Sequence, residues 1–138
     1  MKKLLTISLA LLMTAGSLAL FSCAPAPQET ALLKGAVIIG PIWPVETPGQ
    51  DPPVPTEVFT SRKIMVYGAS GEKLLEEVSI TQIGQTASGY YTVVLSPGAY
   101  TIDINRLGID SADGLPRQIT LAAGQTLTLD IDIDTGIR

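Results

Sequence analysis

The chain has 138 residues, with 9 basic and 13 acidic side chains, no histidine and one cysteine. This length allows one domain of ordinary size in addition to any targeting segment. The lack of histidine removes the commonest general base and the commonest metal ligand, and an acidic chain without a basic stripe is a poor nucleic acid binder. We therefore expect a protein that is not an enzyme, without a cofactor and without a nucleic acid partner.

The first 22 residues have the pattern of a secretory signal peptide. Met1-Lys2-Lys3 is basic, and Leu4 to Phe21 carries no charge and many leucines. We expect a helical signal peptide over residues 1–22. As a helix the apolar run would extend about 27 Å, close to the thickness of a bilayer core, so a retained membrane anchor is the alternative.

The end of this segment, Leu20-Phe21-Ser22-Cys23, resembles the lipobox of bacterial lipoproteins. In that family the cysteine thiol receives diacylglycerol and the cysteine becomes the new N-terminus. The resemblance implies a lipid anchor on Cys23, with acyl chains such as palmitate, and an extracytoplasmic location at the bacterial membrane. The alternative is an incidental or buried thiol, because free cysteine behaves as a small hydrophobe.

Residues 23–31 contain this cysteine and two prolines, which predicts a lipidated residue followed by a disordered tether. After cleavage the chain would carry 7 basic and 13 acidic side chains, a formal charge of −6, because Lys2 and Lys3 are removed. Anionic headgroups would repel such a surface, so the lipid would hold the protein at the membrane.

The remaining residues, 32–138, predict one β domain. Leu33, Val37 and Ile39 alternate with other residues along a first strand. Six prolines between positions 41 and 55 then exclude regular structure and predict a loop of about 15 residues, which is long for a compact domain.

Trp43, the only tryptophan, lies in this proline-rich loop. An exposed indole at this place would stack on a sugar or on a proline of a partner, with Tyr90 as a second exposed aromatic residue. The alternative is that Trp43 covers an open end of the core, because tryptophan buries a large area.

Further strands are predicted before the centre of the chain. Ile64 to Tyr67 form a short alternating strand. Between Lys73 and Ile83 the apolar residues do not share one strict face, which predicts a β-bulge or two short strands.

The central stretch from Gly89 to Ile104 predicts two strands joined at Ser96-Pro97-Gly98. Proline fixes φ and glycine accepts positive φ, so this joint favours a tight hairpin turn. The residues predicted to face inward are Tyr91, Val93, Leu95, Tyr100, Ile102 and Ile104.

The last strand has the most regular alternation. Its inward residues are Leu127, Leu129, Ile131 and Ile133, and Asp130, Asp132 and Asp134 lie on its opposite face. These carboxylates would help to bind Ca²⁺, which prefers oxygen ligands. Alternate residues on a flat strand are about 7 Å apart, so one ion cannot take all three, and the alternative is an acidic stripe that protects a sheet edge.

The whole pattern predicts an all-β fold. Asp110 to Gly114 indicates a turn, and Ile119 to Leu121 indicates one more strand. About seven short strands separated by Gly/Pro turns, with no convincing helix after the signal peptide, are typical of an antiparallel Greek-key β-sandwich.

One family shows the same succession of residues. Ile64-x-Val66, Gly71 and Thr86-x-x-Gly89-x-Tyr91-x-Val93-x-Leu95-x-Pro97-Gly98-x-Tyr100-x-Ile102 resemble the carboxypeptidase regulatory-like, or transthyretin-like, domain. The resemblance implies an Ig-like sandwich in which Tyr100 packs at a corner. Most members are non-catalytic modules attached to enzymes, receptors or surface proteins. The enzymatic branch, the hydroxyisourate hydrolases, uses histidines, which this chain lacks.

The expected function is a non-catalytic, lipid-anchored module of the cell envelope with a structural or binding role. Its partners would be the membrane, through Cys23, and an unknown envelope protein or glycan. One alternative is a carbohydrate-binding module that uses Trp43. A less favoured alternative is an envelope hydrolase that uses carboxylates alone, as glycosidases do.

Overall fold

The computed structural model of the protein describes residues 29–45 and 47–138. The expected signal peptide, the lipidation site at Cys23 and most of the expected tether lie outside these residues. Within them, no helix has the length and apolarity needed to cross a membrane.

Ten strands and one helix of a single turn account for the regular structure of the described residues. They are β1 Ala31–Gly40, α1 Glu57–Thr60, β2 Lys63–Gly68, β3 Leu74–Ser79, β4 Thr81–Gln82, β5 Ser88–Leu95, β6 Gly98–Ile104, β7 Ser111–Ala112, β8 Arg117–Leu121, β9 Thr126–Thr128 and β10 Ile131–Asp134.

The strands form two sheets, which confirms the predicted β-sandwich. The larger sheet has the order β4-β5-β1-β10-β7, and β9 pairs with β1 beside β10. The smaller sheet has the order β3-β2-β6-β8. β1 is therefore the central strand of the larger sheet, with β5 on one side and the C-terminal strands on the other.

The core lies between the two sheets, and the predicted alternation fills it. Along β1 the residues at odd positions are buried, and most of those between them are exposed. Side chains that are fully buried come from both sheets and from the helix, and they include Leu33, Ile39, Phe59, Ile64, Val66, Tyr91, Ile102, Leu121 and Ile133. A period of two on one buried face produces this distribution.

The central stretch is not a hairpin, and in this respect the prediction was wrong. β5 pairs with β1 and β4, whereas β6 pairs with β2 and β8 in the other sheet. The chain therefore crosses from one sheet to the other at Ser96-Pro97. A hairpin would place both apolar faces side by side in one sheet, whereas this crossing stacks them against each other and buries both.

The inward positions of β5 and β6 were nevertheless correct, since Tyr91, Leu95, Tyr100, Ile102 and Ile104 are buried. The Tyr100 hydroxyl donates a hydrogen bond of 2.6 Å to the carbonyl of Ser96. This bond closes the crossing between the two sheets.

The C-terminal strands differ from the prediction in two ways. β9 and β10 are two separate strands, and both run parallel to β1, so the sandwich is not purely antiparallel. The interruption falls at Leu129 and Asp130. Gly35 lies on β1 at this point, and a Cβ at Gly35 would overlap the carbonyl oxygen of Leu129.

The interruption is hydrogen-bonded on both sides. The Leu129 carbonyl accepts a hydrogen bond of 2.7 Å from the buried hydroxyl of Tyr91. The backbone N–H of Ala36 donates to the Asp130 carboxylate at 2.9 Å. The regular backbone hydrogen bonding between the strands is therefore interrupted here. The Leu129 carbonyl and the Ala36 N–H remain paired, because side chains replace their backbone partners.

The segment from Lys73 to Ile83, where the apolar residues alternate imperfectly, forms two short strands that belong to different sheets. β3 pairs with β2 in the smaller sheet, and β4 pairs with β5 in the larger one. Ile80, between them, is buried where the chain crosses. Because β3 and β4 belong to different sheets, their apolar residues do not share one strict face.

The two ends of the sandwich carry different loops. At the end where β1 begins, called here the anchor pole, lie the connections 69–73, 96–97 and 122–125. The Gly124 N–H donates to the carbonyl of Thr30 at 2.8 Å and joins the incoming chain to this pole. At the other end, called the distal pole, lie the proline-rich loop, the turn 83–87, the segment 105–110 and the C-terminus.

Candidate functional site

A cleft of about 920 Å³ lies at the distal pole. One wall is the proline-rich loop and the other is the turn between β4 and β5. The lining residues are Ile42, Trp43, Val45, Thr47, Pro48, Gln50, Asp51, Pro52, Val54, Gln85, Thr86 and Ala87. A cleft of this size, mostly apolar with a few polar groups, is typical of small-molecule sites.

Backbone hydrogen bonds fix the two walls to each other. Val54 is buried, and its N–H donates to the carbonyl of Gln85 at 2.9 Å. The Gln82 amide donates to the carbonyls of Val54 and Thr86, both at 3.0 Å. The inner end of the proline-rich loop is therefore bonded to the turn that faces it, and the cleft exists before any ligand arrives.

The base of the loop is fixed to the sheet as well. The Thr135 hydroxyl donates to the carbonyl of Pro41, and the Thr135 N–H donates to the carbonyl of Gly40 at 3.1 Å. On the opposite wall, the Ile39 N–H donates to the carbonyl of Ala87 at 3.0 Å. Trp43 therefore follows directly on a rigid strand end, although it lies in a proline-rich segment without regular structure.

Trp43 is 38% exposed and lines the cleft. The expected alternatives were an exposed stacking residue and a cover on the core. The side chain belongs to the exposed large apolar residues and is not among the partly buried ones that pack against the core, so in the described residues it does not act as a cover.

Tyr90 lies apart from Trp43. It is on β5, opposite Ala36 of β1 and Thr81 of β4, and it is 49% exposed on the outer face of the larger sheet. Ile38 and Val94 are exposed on the same face. Tyr90 does not line the cleft, so the structure does not bring the two aromatic candidates into one site.

The three aspartates of the acidic stripe are not brought together either. The Asp130 carboxylate accepts the N–H of Ala36, and Asp132 lies opposite Ile38 on the outer face. Asp134 forms an exposed ion pair with Arg138 at 2.9 Å, and this hydrogen-bonded guanidinium lowers the pKa of the carboxyl group. Within residues 29–45 and 47–138, no three acidic, histidine or cysteine side chains are grouped as a metal site.

An ion pair outside the cleft, with both side chains largely buried, was not predicted from the sequence. Arg62 and Asp110 meet in a two-pronged contact, Nε to Oδ2 at 2.8 Å and Nη2 to Oδ1 at 3.1 Å. Their side chains are only 12% and 3% exposed. The Arg62 guanidinium also donates to the carbonyl of Val58, so the pair joins the short helix to the segment before β7. The sequence predicts Asp110 as part of an ordinary turn, and its apolar neighbours Leu107 and Ile109 are themselves exposed, so no local pattern indicates its burial.

The surroundings of Tyr91 shift the pKa of its hydroxyl group. Burial, together with the negative charge of Asp130, raises the pKa of the Tyr91 hydroxyl far above its ordinary value. A phenol that keeps its proton remains a hydrogen-bond donor, which is what the Leu129 carbonyl requires.

No protein-family model matches this chain, and no curated protein matches it. Among solved structures the chain is similar to a DUF3823 family protein from Parabacteroides merdae, with 17% sequence identity and a TM-score of 0.35. The alignment covers 76% of this chain and 46% of that chain. The chain therefore spans less than half the length of that protein.

Proposed function

We propose that the protein is a non-catalytic module of the bacterial cell envelope, held at the membrane by a lipid on Cys23, that presents a binding cleft on the side away from the bilayer. The observation that supports this proposal is the position of the cleft at the end of β1, opposite the end at which the chain that follows Cys23 enters the domain. The lipobox-like cysteine precedes the start of β1, and the cleft follows its end.

The chain length sets the distance of the domain from the membrane. Cys23 and Ala31 are eight positions apart in the sequence, and an extended chain spans at most about 3.6 Å per residue. The anchor pole would therefore lie within about 29 Å of the lipid. β1 has 10 residues, so the distal pole lies about 30 Å farther along the strand.

The charge of the domain agrees with anchoring by lipid. After removal of residues 1–22 the formal charge is −6, which anionic headgroups repel. A lipid that holds the N-terminus, together with a surface that avoids the headgroups, would keep the cleft accessible from the aqueous side.

We also propose that the domain is a divergent relative of the carboxypeptidase regulatory-like, or transthyretin-like, domains. The Tyr100 hydroxyl bonded to the Ser96 carbonyl, at the crossing between the sheets, supports this relation. The same relation favours a binding or supporting role over catalysis.

The test of the anchor is metabolic labelling of a bacterial host with a clickable fatty acid. The wild-type protein should be labelled and should sediment with the membranes, and Cys23→Ala should lose the label. Cys23→Ser is the matched variant, because it keeps the size of the side chain without the thiol that the lipid requires. If Cys23→Ala is labelled as strongly as the wild type, the anchor is disproved.

A further inference from the structure

We infer that the cleft between the proline-rich loop and the turn 83–87 binds a neutral saccharide, with a sugar ring stacked on Trp43. This inference rests on the proposed function, since it names the class of ligand for the cleft that the module presents. It depends on the indole, on the polar side chains beside it and on the charge of the lining.

The polar side chains of the cleft are available to a ligand. Gln50, Asp51 and Gln85 line it together with Trp43, and none of these four side chains is hydrogen-bonded to another residue in the described part of the chain. Amide groups both donate and accept, and a carboxylate accepts. These are the groups that pair with the hydroxyls of a sugar, which themselves donate and accept.

The apolar part of the cleft fits the other side of a sugar ring. A pyranose presents C–H groups on its face and hydroxyls around its edge. The half-open indole of Trp43 offers a flat apolar surface to such a face, while its ring N–H offers a donor. The indole would therefore contact the face of the sugar ring, and the nearby amides and carboxylate would bind the hydroxyls around its edge.

Charge and composition exclude the main competing ligands. No lysine or arginine is among the described residues that line the cleft, and Asp51 adds a negative charge, so a phosphorylated or acidic ligand would be unpaired and repelled. Proline-rich peptides are bound in grooves lined by several aromatic rings, whereas Trp43 is the only aromatic residue lining this cleft within the described chain. A neutral, hydroxyl-rich ligand needs neither a cationic partner nor a second aromatic ring.

The cleft is preorganised for such a ligand. The bonds of Thr135 at Pro41, and of Gln82 and Gln85 at Val54, hold both ends of the proline-rich loop before binding, which lowers the entropy lost on association. Because the cleft is at the distal pole, a glycan outside the membrane would reach it without passing the bilayer.

The test uses the full-length chain, purified in a detergent without a sugar headgroup. An array of neutral gluco-, galacto-, manno- and xylo-oligosaccharides is screened first, and the best-bound oligosaccharide is then titrated. Trp43 is the only tryptophan, so its fluorescence reports occupancy of the cleft directly. We expect saturable binding with a shift of the emission.

Variants separate the cleft from the rest of the surface. Trp43→Ala should weaken binding about tenfold or more, measured by calorimetry because the fluorophore is lost, and Trp43→Phe should lose less, because it keeps an aromatic face. Asp51→Asn and Gln85→Ala should each weaken binding too. Tyr90→Ala is the matched control, because it removes an exposed aromatic residue outside the cleft, and it should bind like the wild type.

Three results would overturn the inference: no neutral oligosaccharide on the array is bound, binding survives Trp43→Ala unchanged, or acidic glycans or proline-rich peptides bind better than any neutral sugar. The lipid-labelling experiment does not involve the cleft, and the binding experiment does not involve Cys23. Failure of the anchor and failure of the saccharide site are therefore distinguishable.

Discussion

At the scale of single residues, two adjacent tyrosines show how alternation assigns roles. Tyr90 and Tyr91 are neighbours on β5, yet Tyr90 is 49% exposed and Tyr91 is 2% exposed. Successive side chains on a strand point to opposite faces, so one tyrosine meets solvent and the other meets the core. Only the buried one has to find a partner for its hydroxyl, and it finds the carbonyl of Leu129.

Tyr91→Phe should therefore destabilise the protein, whereas Tyr90→Phe should not. The first change leaves the Leu129 carbonyl buried without its donor, a loss of about 1–3 kcal/mol in the free energy of unfolding. The second removes an exposed hydroxyl and should change that free energy by less than about 0.5 kcal/mol. Urea unfolding of both variants measures the difference, and equal effects would contradict the role given to the Tyr91 hydroxyl.

The raised pKa of Tyr91 also predicts a loss of stability in alkali. In the unfolded chain the hydroxyl titrates near pH 10, while burial keeps it protonated in the folded protein well above that pH. Above about pH 10 the unfolded chain thus binds fewer protons than the folded one, so the free energy of unfolding falls as pH rises, by up to about 1.4 kcal/mol per pH unit. Below pH 10 this contribution is constant.

The same pair of variants isolates this pH effect. In unfolding measurements between pH 9 and pH 11.5, Tyr91→Phe should show a shallower alkaline decline than Tyr90→Phe. Parallel declines in the two variants would assign the alkaline sensitivity to other groups.

The faces of these residues could be predicted from the sequence, but their partners could not. A period of two tells which side chains of β5 point inward, and it placed Tyr91 and Leu129 on inward faces correctly. The Tyr91 hydroxyl meets the Leu129 carbonyl, 38 residues later, at the break between β9 and β10, and this contact depends on the register of β5, β9 and β10 with β1. No local pattern carries that register.

At the scale of elements, the connections decide the architecture more than the strands do. The strand-joining segment Ser96-Pro97-Gly98 has the composition of a hairpin turn, but it joins two sheets. Turn composition reports local φ and ψ, whereas the choice between a hairpin and a crossing depends on which other strands offer an edge. In this structure β5 pairs with the edge of β1, whereas β6 pairs with β2 and β8.

Gly35 shows that local sequence also fails to predict where the C-terminal strands are interrupted. The alternation from Leu127 to Ile133 is unbroken in the sequence, so one continuous strand was the natural prediction. The break at Leu129 exists because Gly35, in the facing strand, has no side chain to keep the carbonyl out. The cause of the irregularity therefore lies almost a hundred residues away from its position.

The Arg62–Asp110 pair is the element-scale contact that we expect to matter most for stability. Asp110→Asn should lower the free energy of unfolding by about 3 kcal/mol, because it leaves the buried guanidinium of Arg62 without its counter-charge. Asp134→Asn removes one partner of the exposed pair with Arg138 and should have a much smaller effect. Urea unfolding of the two variants tests the contrast.

A double variant separates the charge from the packing at this place. Arg62→Met with Asp110→Leu leaves no unpaired buried charge and should recover most of the stability that Asp110→Asn loses. If it is no more stable than Asp110→Asn, the shape of the pair, and not its charge, is what holds the helix to the segment before β7.

At the scale of the whole molecule, the sandwich places the start of β1 and the cleft at opposite poles. β1 runs from one pole to the other, and every loop that lines the cleft lies at its far end. From the sequence we predicted the proline-rich loop with Trp43, and the lipid attachment at Cys23 stays a prediction. The sequence did not supply the turn 83–87 as the opposite wall, because that contact comes from the pairing of β4 with β5 and from the bonds of Gln82.

Fluorescence quenching tests this arrangement directly. In vesicles that contain the lipidated protein and brominated phospholipids, emission of Trp43 should be quenched by aqueous acrylamide and not by the brominated lipid, because the cleft is at the distal pole. The control carries Trp43→Phe and Ala123→Trp, which moves the only tryptophan to an exposed position at the anchor pole. The brominated lipid should quench this control at least as strongly as Trp43, and stronger quenching of Trp43 than of the control would contradict the orientation.

The central position of β1 has a mechanical consequence. A glycan held at the far end and a lipid held at the near end would pull on the domain along the direction of this strand. β1 is hydrogen-bonded on both sides, to β5 and to β9 and β10, and such bonds lie across the direction of pull. Load on Trp43 would pass along the covalent backbone of β1, whereas load on the turn 83–87 would reach β1 through the bonds between β5 and β1. Those bonds would be loaded together in shear and would not open one after another, an arrangement that would suit a protein under tension between a membrane and a fixed matrix.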